Sequence, residues 1–143
     1  MVAYLLDTHH ASSLVTRGHP LRGVVRDRTA AGDTFAICVP VLTETLFGIS
    51  LLPRALQNRT EWARFQPLLP CYSPDEADGA AAATLQVAAA TLQVALRRRG
   101  RQLATVDALI AAIALRYDLV LLTTDRDFAP LAALAQENWL RPT

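Results

Sequence analysis

An α/β fold with a mainly parallel central sheet is what this chain predicts, and two observations predict it. Short apolar runs, Val2 to Leu6, Thr34 to Val39 and Leu119 to Leu122, alternate with longer segments whose apolar residues recur at helical spacing. Strands apolar on both faces are strands buried between layers of helix, and strand–helix alternation produces parallel pairs. With 143 residues, 52% hydrophobic and 19% charged, the chain has the length and apolar content for one domain over 1–143 with its own core.

Taken in order, Val2 to Leu6 is a buried strand that ends on Asp7. Residues 8–17 and 20–31 read as helices, Pro20 standing near a helix start. After the strand Thr34 to Val39, Pro40 opens a helix on which Val41, Glu44 and Gly48 share a face. Pro53 ends that helix, Arg54 to Phe65 forms the next, and Leu68 to Tyr72 is a third strand. Ser73, followed by Pro74, Asp75 and Glu76, reads as the cap and acidic first turn of a further helix. That helix holds a tandem duplication, Ala-Ala-Ala-Thr-Leu-Gln-Val at 81–87 and again at 88–94. Seven residues are nearly two turns, so the repeat drifts only about 20° and keeps Leu85, Leu92, Val87 and Val94 near one stripe. Arg97, Arg98, Arg99 and Arg101 with Gly100 mark its end. Thr105 is then expected to cap a helix from Val106 to Arg116. Leu119 to Leu122 forms a strand, Phe128 to Gln136 a short helix, and Trp139-Leu140 a terminal strand.

Composition narrows the function. Net charge is +1, so contact with a polyanion has to come from a local patch. Every cation is Arg and no Lys occurs, which removes P-loop NTPases, Schiff-base enzymes, receiver-type phosphoacceptors and haloacid-dehalogenase phosphatases. Cys38 and Cys71 sit in apolar stretches and read as core thiols of a reducing cytosol. The first residues lack a basic, signal-like region, and the longest uncharged run, Gly79 to Leu96, is an alanine-rich packing helix and not a membrane span. A cytoplasmic location with no membrane contact is the expectation.

Four carboxylates stand out by position. Asp7 and Asp125 follow strands, and ligands of open α/β sheets bind beyond the carboxyl ends of strands. Glu44 lies one turn into a helix that follows a strand and is the only charge between Asp33 and Arg54, so a buried Glu44 needs a partner or a metal. Asp107 opens a helix that is otherwise apolar. Acids that converge repel one another, so at least one should have a raised pKa without a cation.

Four segments carry a resemblance that runs through the chain: Tyr4-Leu-Leu-Asp7-Thr8, Val39-Pro-Val-Leu-Thr-Glu44, Asp107-Ala-Leu-Ile-Ala-Ala-Ile-Ala114 and Leu122-Thr-Thr-Asp125-Arg-Asp127-Phe128. In order and spacing they resemble PIN domains, specifically the VapC-type toxins of bacterial toxin–antitoxin systems. The resemblance implies a PIN-like three-layer α/β/α fold and a ribonuclease whose Asp7, Glu44, Asp107 and Asp125 bind one or two Mg²⁺ or Mn²⁺ ions and are catalytic. It implies support from the hydroxyls of Thr8, Thr123 and Thr124, a homodimer, an RNA substrate and a cognate antitoxin partner. Asp127 is an auxiliary acid or helix cap. His9 stands where the family frequently has Asn or Ser. His10 and His19 have no zinc spacing. Arg126, Arg97, Arg98, Arg99 and Arg101 are candidate phosphate contacts around the acidic cleft. An inactive PIN fold acting through RNA or antitoxin binding is the alternative.

Overall fold

A computed structural model describes residues 1–95 and 102–140. Its strands are β1 (Ala3–Leu6), β2 (Thr34–Cys38), β3 (Cys71–Tyr72), β4 (Val120–Leu122) and β5 (Gln136–Glu137). They form one sheet in the order β3-β2-β1-β4-β5, and every pair is parallel. The helices are α1 (Thr8–Ser13), α2 (Pro20–Ala30), α3 (Val39–Ser50), α4 (Ala55–Phe65), α5 (Glu76–Ala95) and α6 (Thr105–Arg116).

The order dictates the layers. From β1 to β2 to β3 the chain moves one way across the sheet, and from β3 it returns past β2 and β1 to β4. Crossovers are right-handed, so α1–α4 cover one face and α5–α6 the other. The core lies on both sides of β1 and β4, where Leu5, Leu6, Leu121 and Leu122 are fully buried with Ile37, Ile110 and Ile113. The expected α/β/α architecture with a parallel sheet is what forms.

Several boundaries differ from the sequence reading, each for a local reason. The first helix stops at Ser13 and not at 17, because Leu14, Val15 and Thr16 bond back three residues instead of four. Gly18, at φ +78°, then turns the chain, a conformation glycine adopts freely. Ser73 does not cap α5. Asp75 does, in a reciprocal box: its carboxylate accepts from Asp78 N–H at 3.0 Å while the Asp78 carboxylate accepts from Asp75 N–H at 2.9 Å. Arg116, at the end of α6, reaches the same two carboxylates at 2.8 and 3.1 Å and so locks α5 and α6 as an antiparallel hairpin. Thr105 is the first residue of α6, not its cap, and its hydroxyl accepts from Gln86 instead.

The repeat packs through its alanines. Ala82 and Ala89, equivalent positions of the two copies, are buried against the core, whereas Val87 is 66% exposed, Leu92 is exposed and Leu85 is half-buried. Small residues every seventh position let two helices approach closely, which is what holds α5 on α6. The Val94 side chain and residues 97–101, with Arg97, Arg98, Arg99 and Arg101, lie outside the described residues.

The C-terminal segment is the largest departure. The expected helix over Phe128 to Gln136 does not form, and the segment folds instead as a 3₁₀ turn (Arg126–Phe128) followed by further turns closed by three-residue bonds. Phe128, Leu131 and Leu134 are all buried at this three-residue spacing, which imitates helical periodicity. The last strand is Gln136–Glu137, not Trp139-Leu140. Trp139 packs edge-on against Tyr4 at 4.8 Å and Phe35 at 5.9 Å. Cys38 is a buried thiol, pushed by that burial up to about 12, but Cys71 is exposed, contrary to its apolar setting.

Because Ala82 has no room beside it for a larger side chain, Ala82→Leu should overpack the α5–α6 contact. We expect a loss of about 1–3 kcal/mol, lowering Tm by roughly 3–10 °C, while Val87→Ala shifts it by less than about 2 °C. Thermal melts followed by circular dichroism check both.

Candidate metal centre

The sheet reverses its winding between β1 and β4, and the crevice beyond their carboxyl ends is where α/β folds bind ligands. Register decides what stands there. Leu6 pairs with Leu122, so the next residues, Asp7 and Thr123, face each other at the mouth. Asp7 N–H closes the ladder onto Leu122 C=O at 2.9 Å.

Both oxygens of Asp7 are held. Oδ1 accepts from Thr8 N–H at 2.8 Å, capping α1, and Oδ2 accepts from the Thr123 hydroxyl at 2.7 Å. Thr123, itself buried, also accepts from Asp125 N–H at 3.0 Å through the same oxygen, so one hydroxyl sets two acids. Asp125 Oδ1 in turn accepts from Asp127 N–H at 2.8 Å and caps the 3₁₀ turn. The cap is therefore Asp125, and the Asp127 carboxylate is left free to face inward. Asp107 enters from the first turn of α6, whose buried length from Ala108 to Ala114 anchors it.

Asp107, Asp125 and Asp127, all half-buried, each offer an oxygen within 4.8 Å of the others, a spacing at which one cation can bind all three. Burial, then Asp125, Asp7, Glu44 and Asp127 in falling order, push the Asp107 carboxyl up to about 6. Burial also raises Asp7 above its ordinary value, against the hydrogen bonds from Thr123 and Thr8 and with Glu44 and Asp125 adding to the rise. The anticipated repulsion is thus present, and it bears most on Asp107.

Glu44 corrects one step of the sequence reasoning. It is exposed, not buried, so it carries no desolvation demand for a partner. It joins the site as an outer acid through the Thr8 hydroxyl, which donates to Glu44 Oε2 at 2.8 Å. His9 is exposed on α1, its Nδ1 2.7 Å from Thr124 Oγ1. His10, by contrast, is fully buried and accepts from Trp139 N–H at 3.1 Å; burial lowers its pKa to about 4, with His9 adding to the fall. His19 caps α2 by accepting from Leu21 N–H. Arg126 is exposed beside Asp125 and forms no ion pair with a described residue.

A cleft of about 510 Å³ opens directly beside Asp125. Its near wall is Thr123 to Arg126 and its far wall Gln136, Glu137, Asn138 and Leu140. The far wall was invisible in the sequence, because the last strand was expected at Trp139-Leu140, three residues later than Gln136–Glu137.

Oxygen donors alone, crowded and half-buried, suit a hard divalent cation better than zinc, whose sites draw mainly on nitrogen and sulfur donors. No helix of the described residues is long and apolar enough to cross a membrane.

Comparison with known proteins agrees with this arrangement. Among solved structures, VapBC2 from Rickettsia felis, bound to a DNA fragment from its promoter, superposes with a TM-score of 0.74 at 21% identity, covering 96% of this chain and 99% of that one. VapBC-5 from Mycobacterium tuberculosis, a member of the VapBC family of toxin-antitoxin systems, gives 0.59 at 21% identity over 96% and 99%. The sarcin-ricin loop cleaving toxin VapC20 from the same organism gives 0.58 at 16% identity over 90% and 95%. At these identities the likeness shows the fold. No curated protein matches by sequence. The PIN domain family model matches residues 4–134, from the strand that carries Asp7 to the turns behind Asp127, and the chain belongs to the PIN domain family.

Proposed function

We propose that the protein is a metal-dependent endoribonuclease and the toxin of a VapBC-type toxin–antitoxin pair. The observation that carries this reading is the convergence of Asp107, Asp125 and Asp127 within 4.8 Å at the sheet's switch point, with Asp107 held up to about 6 by burial and neighbouring acids. Such a cluster is stabilised by a cation and strained without one. Support comes also from the PIN family and from structural neighbours that are toxin–antitoxin complexes or a toxin named for cleaving the sarcin-ricin loop.

In this reading Asp107, Asp125 and Asp127 hold Mg²⁺ or Mn²⁺, with Asp7 and Glu44 as the acids behind them. A cation held by Asp107, Asp125 and Asp127 would supply Lewis acidity toward the scissile phosphate and a coordinated water of lowered pKa. Thr123 orients Asp7 and Asp125 together, and Thr8 orients Glu44. Arg126 meets a phosphate of the incoming strand, with Arg97, Arg98, Arg99 and Arg101 as further contacts. The antitoxin silences the acidic site, and the active form is a homodimer. RNA is taken single-stranded or in loops, where its bases are free.

The test uses labelled single-stranded RNA with Mg²⁺, Mn²⁺ or EDTA. Cleavage should need metal, leave 5′-phosphate and 3′-hydroxyl ends, and vanish in Asp7→Asn. Thr123→Val, which removes the hydroxyl that sets both acids, should cost about 10- to 100-fold and raise the Mg²⁺ requirement. Metal-independent products ending in a 2′,3′-cyclic phosphate would refute the mechanism. Absence of cleavage under every condition would leave the inactive binding module.

A second prediction concerns pH. The folded pKa of Asp107 is raised to about 6 from 3.8, so its contribution favours folding below pH 4 and is lost as pH rises through 6. In EDTA, Asp107→Asn should therefore melt about 2–4 °C above wild type at pH 8, with the gap closing at pH 4. Saturating Mg²⁺ should reverse the order at pH 8 by stabilising wild type alone. Melts at the two pH values check this; an Asp107→Asn variant less stable than wild type in EDTA at pH 8 contradicts it.

A further inference from the structure

The cleft beside the acids has a chemistry of its own. It holds two carboxylates, Asp125 and Glu137, against one guanidinium, Arg126. Exposed Arg126 can meet a backbone phosphate, while the net negative lining of the cleft favours an uncharged occupant such as a heterocycle. A cavity of about 510 Å³ accommodates one base with its sugar.

The far wall is rigid before any ligand arrives. Thr123 N–H bonds Glu137 C=O at 3.0 Å, tying β5 to β4. Gln136 donates its amide to Phe128 C=O at 2.9 Å. The buried His10 accepts from Trp139 N–H, and the Trp139 ring is packed against Tyr4 and Phe35. A base would meet side chains already in place, which is what discrimination requires.

The free polar atoms of that wall are of two kinds. Asn138 accepts from Leu140 N–H through Oδ1 at 2.8 Å, which leaves its NH₂ group as a donor with no partner among the described residues. Glu137 Oε1 accepts from the Trp139 indole N–H at 3.1 Å, which orients the carboxylate and leaves it acceptor capacity on both oxygens. A carboxylate beside an amide donor matches one base edge best. Guanine presents two adjacent donors, N1–H and the N2 amino group, next to the acceptor O6. Uracil has one donor, and adenine and cytosine have a single amino group beside a ring-nitrogen acceptor.

We propose that this cleft is a base-specificity subsite that takes guanine adjacent to the scissile phosphate, Glu137 accepting from N1–H and N2–H and Asn138 donating to O6. The proposal rests on the nuclease reading for its substrate and names the sequence preference of that site. A carboxylate and an amide that read one base edge together discriminate by roughly 5- to 150-fold against the wrong base.

Binding and cleavage are measured separately. Fluorescence anisotropy of the full chain in EDTA, with fluorescein-labelled pentamers of otherwise uniform adenosine carrying G, inosine, A, C or U centrally, should show the G pentamer bound at least about tenfold more tightly than A. Inosine, which lacks the N2 amino group, should fall between. Glu137→Gln keeps an acceptor for the Trp139 indole but loses the paired acceptor, and should remove most of the G preference. Asn138→Asp keeps the cap on Leu140 but loses the donor, and should do the same; melts confirm that both variants are folded. The five pentamers binding alike, or a G preference unchanged in both variants, overturns the subsite whether or not the protein cleaves. Absence of cleavage with Mg²⁺ or Mn²⁺ alongside an intact, variant-sensitive G preference overturns the nuclease reading and leaves the subsite standing.

Discussion

Everything at the acidic mouth depends on the parallel pairing of β1 with β4. A parallel ladder brings two carboxyl ends to the same level, and here it does so at the place where the chain's winding reverses. The pairing of Leu6 with Leu122 puts Asp7 opposite Thr123, and the hydroxyl between them fixes Asp125 as well. Slipping that register by one residue would turn every core leucine of the pair to the other face and separate the acids. The buried leucines of β1 and β4 therefore hold the chemistry in place although none of them takes part in it.

The acids press back on the fold. Asp107 and Asp7 are both raised above ordinary carboxyls, chiefly by burial, so their ionised forms oppose folding near neutral pH. The protein accepts this strain by anchoring each acid on an element that is itself deeply held. Asp7 terminates a central strand, and Asp107 heads a helix buried from Ala108 to Ala114. Asp125 is wired into the 3₁₀ turn it caps. The hydroxyls of Thr123 and Thr8 neutralise no charge, yet they direct the carboxylates, and in the proposed reading a bound cation would relieve the repulsion.

The architecture, and the placing of Asp7 and Asp125 just beyond strand ends, were legible because both follow from short-range pattern. Apolar runs ending in Asp7 and Asp125 announce strands with acids at their mouths, and the alternation with helices implies the parallel sheet. What stayed hidden was hidden for physical reasons. Glu44 looked buried because its sequence neighbours are apolar, but Phe47 on the same helix is exposed, as is Leu51 just beyond it, so local hydrophobicity does not report burial on α3. Asp127 looked like a cap because it opens a turn, whereas the backbone gives that role to Asp125. The residues from Phe128 to Leu134 imitated a helix through buried side chains at three-residue spacing, which a run of three-residue turns presents equally well. That error moved the last strand and concealed Gln136, Glu137 and Asn138 from the site. His10, with no spacing to recommend it, anchors the wall by a contact 129 residues away, and no local pattern reports such a contact.

The duplicated segment of α5 shows how a fold of this kind tolerates growth beside a demanding site. Inserting seven residues in a helix returns its face almost unrotated, so Ala89 takes over toward α6 the role that Ala82 has one repeat earlier. The hairpin is tied by Asp75 and Asp78 to Arg116 at one end and by Gln86 to the Leu103 carbonyl near the start of α6. Gln86 belongs to the first copy, so the tie that stands nearest Asp107 precedes the second. Length added beyond it extends the hairpin outward and leaves the start of α6 where it was. An inserted length far from a whole number of turns, five residues for instance, would instead rotate the added alanine face off α6. The period of the repeat is thus one at which a longer helix and an undisturbed acid cluster are compatible.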